Sequence, residues 1–196
     1  LDYCKKKDWL ISGGEDSKAV IWNLKGDQLA VLMGHNDRVR SVAISKNGNM
    51  AVTGSWDNTL KIWDLTNEQD SLNLKFTLEG HSSDVSKIEI HEEEGHYVIL
   101  SASSDQTVRL WKVDKQLKYY EELKSMINHR GSIKGATFSD DGKYILTCGA
   151  DNTVKLWPTS ENEIDNYFKS FAKLDNEVKA ITKKINSKID SEIKQE

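Results

Sequence analysis

A histidine, a hydroxyl residue and an aspartate recur together in this sequence, and these are the residue types of a hydrolase triad. In such a triad the histidine takes the hydroxyl proton and the aspartate orients the imidazole ring. One active site needs one triad, whereas this set occurs three times, and each aspartate is followed six residues later by a tryptophan. We therefore interpret it as a repeated structural element. The three histidines are His35, His81 and His129, and the aspartates are Asp57, Asp105 and Asp151.

Two further stretches carry residue types that bind metals or phosphates. His91 and His96 flank three glutamates and a glycine, but zinc motifs of this type need two histidines four apart on one helix face. Ser12–Asp16 holds two glycines without the spacing or the lysine of a phosphate loop. We interpret Lys5–Lys7 as a solvent-facing turn, with a phosphate contact as the alternative. We therefore expect no metal and no cofactor.

Four similar units must position these residues. Each unit has a short apolar run, an aspartate, and a tryptophan six residues after it, and successive tryptophans are 41, 48 and 46 residues apart. Asn47-Gly48 and Asp141-Gly142 are typical of hairpin turns, and Asp57-Asn58 and Asp151-Asn152 mark a second tight turn. Each unit therefore reads as strands a, b, c and d joined by turns, and stacked sheets of this kind cover one another's faces.

Several offsets recur together in these units. Gly34-His35, Gly80-His81 and the degenerate Asn128-His129 precede strand a, and Trp63-Asp64 ends a strand c. Over residues 1–158 the chain resembles the WD-repeat family, which implies an all-β propeller of four-stranded antiparallel blades.

The resemblance also implies a hydrogen-bonded tetrad of the histidine, a strand-b hydroxyl, the turn aspartate and the strand-c tryptophan. Aligning the units places the hydroxyl four residues before the aspartate, because only that position always carries an oxygen. The tetrads are His35, Thr53, Asp57 and Trp63; His81, Ser101, Asp105 and Trp111; and His129, Thr147, Asp151 and Trp157.

The domain organisation follows from the repeats. We expect propeller blades over residues 1–158. The first blade would be truncated, because it lacks its histidine. Since propellers of this family usually have more than four blades, we expect a larger propeller with further blades before Leu1. Residues 159–173 would be a linker with a possible last strand. Over residues 174–196, apolar residues at gaps of three and four predict an amphipathic helix; a short coiled coil and a disordered tail are the alternatives.

The bulk properties narrow the class of protein. The formal net charge is -4, which does not favour a nucleic-acid-binding surface. The two cysteines lack a C-x-x-C partner, which does not favour a disulfide framework. No apolar run reaches 18 residues, and we expect no membrane insertion. The composition favours a cytoplasmic protein, with the nucleus as the alternative, and leaves the oligomeric state open.

We expect a non-catalytic scaffold that binds other proteins within a multiprotein complex. The alternatives are a subunit of an RNA- or chromatin-associated complex and a ubiquitin-ligase substrate receptor. The receptor role needs a Trp-Asp-x-Arg stretch in this family, whereas Trp63-Asp64 is followed by Leu65-Thr66.

The residues that should bind a partner lie on one rim, where the start of strand a meets the b–c turn. Trp56 and its arginine neighbours stand out, because Trp and Arg are enriched at binding hot spots; a mere cation–π pair between them is the alternative. The predicted rim residues are Glu15, Arg38, Arg40, Trp56, Asp84, Ser86, Ser104, Ser132 and Lys134.

Overall fold

The computed structural model describes residues 1–66, 73–127 and 129–159, and these form strands and turns without a helix. Leu1–Leu156 forms one compact unit and Trp157–Glu196 a second, of which residues 157–159 are described. The expected helix and nearly all of the expected linker lie outside the described residues. No helix capable of crossing a membrane occurs in the described part of the chain.

In the described ranges, fifteen strands form four antiparallel sheets, each built from strands in chain order. This arrangement confirms the predicted all-β class. The first sheet contains β1 (Asp2–Cys4), β2 (Trp9–Gly13), β3 (Lys18–Asn23) and β4 (Gln28–Met33); the second contains β5 (Val39–Ile44), β6 (Met50–Ser55), β7 (Leu60–Asp64) and β8 (Asn73–Leu78); the third contains β9 (Val85–Glu92), β10 (His96–Ser103), β11 (Thr107–Asp114) and β12 (Tyr120–Ile127); and the fourth contains β13 (Ile133–Phe138), β14 (Tyr144–Gly149) and β15 (Val154–Pro158).

Successive side chains of a strand point to opposite sides of its sheet, so each sheet has two faces. We call the face that packs on the following sheet the forward face, and the opposite face, which carries the tryptophan of the third strand, the Trp face. Between the first and second sheets, Ile11 and Ile21 of the forward face share one core with Trp63 and Leu65 of the Trp face. The same contact joins the second and third sheets, where Leu60 packs in the core that contains Trp111.

The tight turns form at residues that tolerate a positive φ. Asn58 and Asn152 adopt φ values of 68° and 59° in the turn between the second and third strands of their sheets. Gly48 and Gly142, in the turn between the first and second strands of their sheets, have φ values of 74° and 69°. Asparagine and glycine enter this left-handed region at low cost, so the sequence itself sets where each sheet reverses.

A β-bulge interrupts the last strand pair at the same place in the first three sheets. The register shifts between Ile21 and Trp22, between Ile62 and Trp63, and between Leu110 and Trp111. A bulge leaves one residue unpaired, bends the strand and increases its local twist. The tryptophan of each of these sheets therefore lies beside a bend in the outer strand pair.

Candidate functional site

The second sheet shows the tetrad contacts in full. The His35 Nδ1–H donates to Asp57 Oδ2 at 2.8 Å, and the Thr53 hydroxyl donates to His35 Nε2 at 2.7 Å. Trp63 Nε1 donates to the same Thr53 oxygen at 2.9 Å. Asp57 also accepts the backbone N–H of Asn36 at 2.9 Å. These bonds tie the loop before β5 to the strands β6 and β7.

The third sheet repeats this arrangement, and the fourth repeats its histidine contacts. His81 contacts Asp105 and Ser101, each at 2.9 Å, and Trp111 Nε1 donates to Ser101 Oγ at 2.9 Å. In the fourth sheet His129 Nδ1 lies 3.0 Å from Asp151 Oδ2, and His129 Nε2 lies 2.8 Å from Thr147 Oγ1. The fourth-sheet tryptophan is Trp157, whose side chain is buried.

The first sheet keeps only part of the set. Trp22 Nε1 donates to Ser12 Oγ at 2.8 Å, and the turn aspartate, Asp16, accepts the backbone N–H of Lys18 at 3.2 Å. In the other sheets the histidine stands at least 22 residues before the turn aspartate, a position that in this unit lies before Leu1. The described residues of the first sheet therefore show part of a set whose four members are seen in contact in the second and third sheets.

A threonine two residues after each aspartate joins the set, and our sequence analysis missed it. Thr59, Thr107 and Thr153 each donate their hydroxyl to the aspartate at 2.7 Å. The signal was present as an Asp-x-Thr spacing that recurs in three units. The first unit has Lys18 at this position.

The geometry of the tetrads is unsuited to nucleophilic catalysis. Thr53 and Ser101 have no exposed surface, and each hydroxyl oxygen is held between an imidazole nitrogen and an indole N–H. A nucleophile must reach the reacting atom of a substrate, and these oxygens face protein on every side. Their chemical role is to satisfy buried donors and acceptors.

Burial and hydrogen bonding shift the pKa values in opposite senses within the second-sheet tetrad. Burial lowers the pKa of His35 below its ordinary value, aided by Lys61 and opposed by Asp57. Burial also works against ionisation of Asp57, but hydrogen bonds from Asn36, Thr59 and His35 outweigh it and hold its pKa below the usual range. The pKa values of Asp105 and Asp151 are lowered as well. The tetrad is thus built around ionised aspartates.

The pH dependence of stability follows from these shifts. A lowered histidine pKa means that the unfolded chain takes up the proton first, so the His35 contribution falls as the pH drops below about 6.5. The aspartates contribute above their unfolded pKa of about 3.9, and that contribution is lost as the pH falls towards their folded values. We expect the thermal unfolding midpoint to decline in two stages between about pH 7.5 and about pH 3. His35→Asn should reduce the first stage; a midpoint that is constant over this range would contradict the prediction.

His91 and His96 do not converge. The His91 ring packs 5.4 Å from the Phe138 ring of the fourth sheet, whereas His96 Nε2 contacts Glu93 Oε2 at 3.0 Å. Within the described ranges, no three His, Cys, Asp or Glu side chains form a group that could hold a metal ion.

Backbone hydrogen bonds bring the predicted rim positions together. The N–H of the residue before the turn aspartate donates to the carbonyl three residues after the histidine in each of the last three sheets. The pairs are Trp56 to Arg38 at 3.0 Å, Ser104 to Asp84 at 3.0 Å, and Ala150 to Ser132 at 2.8 Å. The tetrad histidine stands three residues before one member of each pair, and the tetrad aspartate directly follows the other, so the tetrad lies close to this rim.

The rim carries an exposed aromatic residue between charged ones in the second sheet. Arg38 Nη1 donates to Glu15 Oε1 of the first sheet at 2.9 Å, and its Cζ lies 4.9 Å from the centre of the Trp56 ring. Trp56 is 43% exposed, and Arg40, two residues after Arg38 in the sequence, is exposed as well. The cation–π pair that we considered as the alternative is therefore present, and it leaves much of the indole open to solvent. We call Arg38, Arg40 and Trp56 the Trp56 patch.

The other rim residues form a more polar and partly occupied surface. Ser104 Oγ donates to Asp84 Oδ2 at 3.0 Å, and Ser86 Oγ donates to the Ile133 carbonyl of the fourth sheet at 2.6 Å. Ser86 thus links two sheets. Lys134 is exposed and Ser132 is half-buried.

Comparison with known proteins agrees with this architecture. The family described as WD domain, G-beta repeat, matches residues 26–64, 72–112 and 120–158, together more than half of the chain. The chain is 39% identical to the small ribosomal subunit protein RACK1 of Neurospora crassa, over 79% of this chain and 62% of that protein. It is 32% identical to a guanine nucleotide-binding protein subunit beta-like protein of Encephalitozoon cuniculi, over 80% and 48%.

A ribosome biogenesis protein WDR12 homolog of Trichoplax adhaerens is 27% identical over 79% of this chain and 41% of its own length. The chain therefore spans between 41% and 62% of these three relatives. Repeated sheets, recurring His, Asp and Trp positions and the matched repeats lead to one conclusion: the chain belongs to the WD-repeat family.

Proposed function

We propose that this chain is a non-catalytic scaffold that binds protein partners within a multiprotein complex, and that the Trp56 patch is a principal contact. The observation that carries the proposal is an exposed tryptophan at the rim that contacts Arg38, which in turn pairs with Glu15. We assign the protein to the cytoplasm, with the nucleus as the alternative. The names of the relatives, which refer to ribosomal and ribosome-biogenesis proteins and a G-protein subunit, support a role in assemblies.

Preorganisation is the physical reason for choosing this patch. The Arg38 side chain is 44% exposed, yet it contacts Glu15 on one side and Trp56 on the other. A side chain ordered before binding loses less conformational entropy when a partner docks. Trp and Arg are also the residue types that most often dominate binding energy. The neighbouring rim residues Ser86, Ser104 and Ser132 are small and polar, as is common for residues that surround a binding hot spot.

The proposal predicts that Trp56→Ala releases a partner while the fold persists. We expect at least about a tenfold loss of one interactor, equivalent to about 1.4 kcal/mol, because the indole would no longer bury its open face. Arg38→Glu combined with Arg40→Glu should release the same interactor. The measurement is quantitative mass spectrometry of proteins that copurify with the full-length protein from its own cells.

Tyr119→Ala is the matched control, since Tyr119 is a comparably exposed aromatic residue at 51% and lies in the turn between β11 and β12. It should leave the interactors unchanged, and thermal unfolding of all variants should match that of the parent. Retention of every interactor by both Trp56-patch variants would contradict the proposal, as would unfolding caused by Trp56→Ala.

An RNA-associated role is the second candidate, favoured by the ribosomal relatives and disfavoured by the net charge of -4. Phosphate contacts weaken steeply with salt. RNA binding that drops at least about a hundredfold between about 50 and 200 mM salt would support this role. The ubiquitin-ligase role has less support, because Trp63 is buried and Asp64 is engaged with Lys75 and Thr66.

A further inference from the structure

Three basic side chains occupy the first strands of three successive sheets. Arg40 lies on β5, Lys87 on β9 and Lys134 on β13, and all three residues are exposed. We call these three residues the basic row. Arg40 also belongs to the Trp56 patch, so the basic row begins at the surface proposed above to bind a partner.

Two hydrogen bonds between sheets bring these first strands side by side. The backbone N–H of Ile88 donates to Ser41 Oγ at 2.9 Å, and Ser86 Oγ donates to the Ile133 carbonyl at 2.6 Å. Every member of the basic row directly neighbours one of these bonded residues in the sequence: Arg40 beside Ser41, Lys87 between Ser86 and Ile88, and Lys134 beside Ile133. The basic row therefore crosses the second, third and fourth sheets in order.

A β-bulge interrupts the start of each of these strands. The register shift in the second sheet leaves Arg40 without a pairing partner on β6. Lys134 is the extra residue of the corresponding bulge in the fourth sheet, and in the third sheet the extra residue is Ser86, directly before Lys87. Bulges re-aim side chains and are over-represented beside functional sites. The same backbone feature thus recurs where the basic side chains lie.

The basic row has no carboxylate to balance its charge among the described residues. Arg38 and Arg109 each contact a glutamate, whereas no member of the basic row forms an ion pair within that part of the chain. Glu89, on the same strand as Lys87, accepts the backbone N–H of Phe138 instead. Charges of one sign that line one surface raise the local concentration of oppositely charged ligands.

We propose that the basic row binds an acidic, extended peptide segment of the protein partner, with a carboxylate at every third residue. The inference rests on the proposed function of the Trp56 patch and names the chemistry of the partner that docks there. Sheets packed face to face lie about 10 Å apart. A polyproline II segment returns to the same side after three residues, which span about 9 Å. Every third side chain of such a segment would therefore meet the next sheet.

A peptide suits this surface better than RNA does. Asp37 and Asp84 lie just before β5 and β9, and a backbone with a phosphate at every nucleotide would be repelled by their carboxylates. A peptide places its charges only where cations lie and offers neutral residues between them. The net charge of the chain, -4, also opposes general attraction to a polyanion.

The test is fluorescence polarisation of the full-length protein with a labelled peptide that carries three glutamates at intervals of three residues, flanked by leucines. We expect tighter binding than for a peptide of the same composition with the glutamates adjacent. Lys87→Glu and Lys134→Glu should each weaken binding by at least about fivefold, because each loses one ion pair and gains a repulsion. Lys25→Glu, an equal charge change at an exposed residue between β3 and β4, should have less than about a twofold effect.

A charge exchange tests the position of the peptide by a gain of binding. Lys87 lies on the middle of the three sheets, so it should face the central glutamate. A peptide with lysine at that central position should bind the Lys87→Glu protein at least about fivefold more tightly than it binds the parent. A Lys87→Glu protein that had lost its fold would not gain affinity for this peptide.

Three results would overturn the proposal: no preference for the spaced glutamates, binding that is unchanged in both basic-row variants, or tighter binding of an RNA oligonucleotide of equal charge that the same variants release. The two proposals fail separately. Loss of an interactor from the Trp56-patch variants without peptide binding would refute the basic row alone. Peptide binding that depends on Lys87 and Lys134, with every interactor retained by the Trp56-patch variants, would refute the Trp56 patch alone.

Discussion

Trp111→Ala is expected to lower the free energy of unfolding by about 3–5 kcal/mol, the range for removing a large buried aromatic side chain. Trp111 is 2% exposed and packs in the core shared by the second and third sheets. Its indole N–H also donates to Ser101, which would lose one of its two tetrad partners. The loss therefore combines a cavity with a disturbed polar network.

The measurement is urea denaturation of the parent and the variant, followed by tryptophan fluorescence and circular dichroism. Trp56→Ala is the matched control, because the same substitution at a 43% exposed position should cost less than about 1 kcal/mol. Similar losses for the two variants would show that burial between the sheets does not stabilise the fold in the way we infer.

Asp105→Ala is expected to cost about 3 kcal/mol, near the upper end of single-site effects. The Asp105 carboxylate is 4% exposed and accepts from His81, from the backbone N–H of Ser82, and from the backbone and hydroxyl of Thr107. Alanine would leave these donors without their acceptor. Each buried unsatisfied donor costs about 1–3 kcal/mol before relaxation and water entry reduce the total.

Asp16→Ala is the control for this experiment. Asp16 occupies the same turn position in the first sheet, is exposed, has no histidine partner among the described residues, and accepts a backbone bond from Lys18. We expect a change below about 0.5 kcal/mol, as for an ordinary surface substitution. Equal destabilisation by the two alanine substitutions, measured by urea denaturation, would mean that the turn itself matters and the tetrad does not.

The strands and turns could be predicted because their signals are local. Alternating apolar residues define each strand, and Asn58, Asn152, Gly48 and Gly142 define where the chain turns. These strand and turn signals repeat at similar spacing, so the assignment of strands in one unit supports the assignment in the others. The all-β class follows from them without knowledge of any contact between sheets.

The contacts between units could not be predicted in the same way. The bond from Ser86 to Ile133 joins residues 47 positions apart, and the contact of Arg38 with Glu15 crosses from one sheet to the next. Such pairs depend on how the sheets stack, which spacing within one unit does not specify. The rim positions were inferred from strand direction alone, so their convergence was predictable while their side-chain partners were not.

The threonines of the tetrads were predictable in principle. Thr59, Thr107 and Thr153 follow their aspartates at constant spacing, but an Asp-x-Thr turn is also common outside such networks. Only the structure shows that their hydroxyls face the carboxylate and approach the histidine within 3.2–3.5 Å.

The bulges beside Trp22, Trp63 and Trp111 also affect how the chain behaves in crowded solution. Among the described residues, β4, β8 and β12 are each the last strand of their sheet, and a flat, unpaired strand edge recruits further strands and seeds aggregation. A bulge at the same point of each outer strand pair twists the edge and breaks its regular spacing. Because the same bulge recurs in three repeats, we expect these strand edges to resist pairing with strands of other molecules.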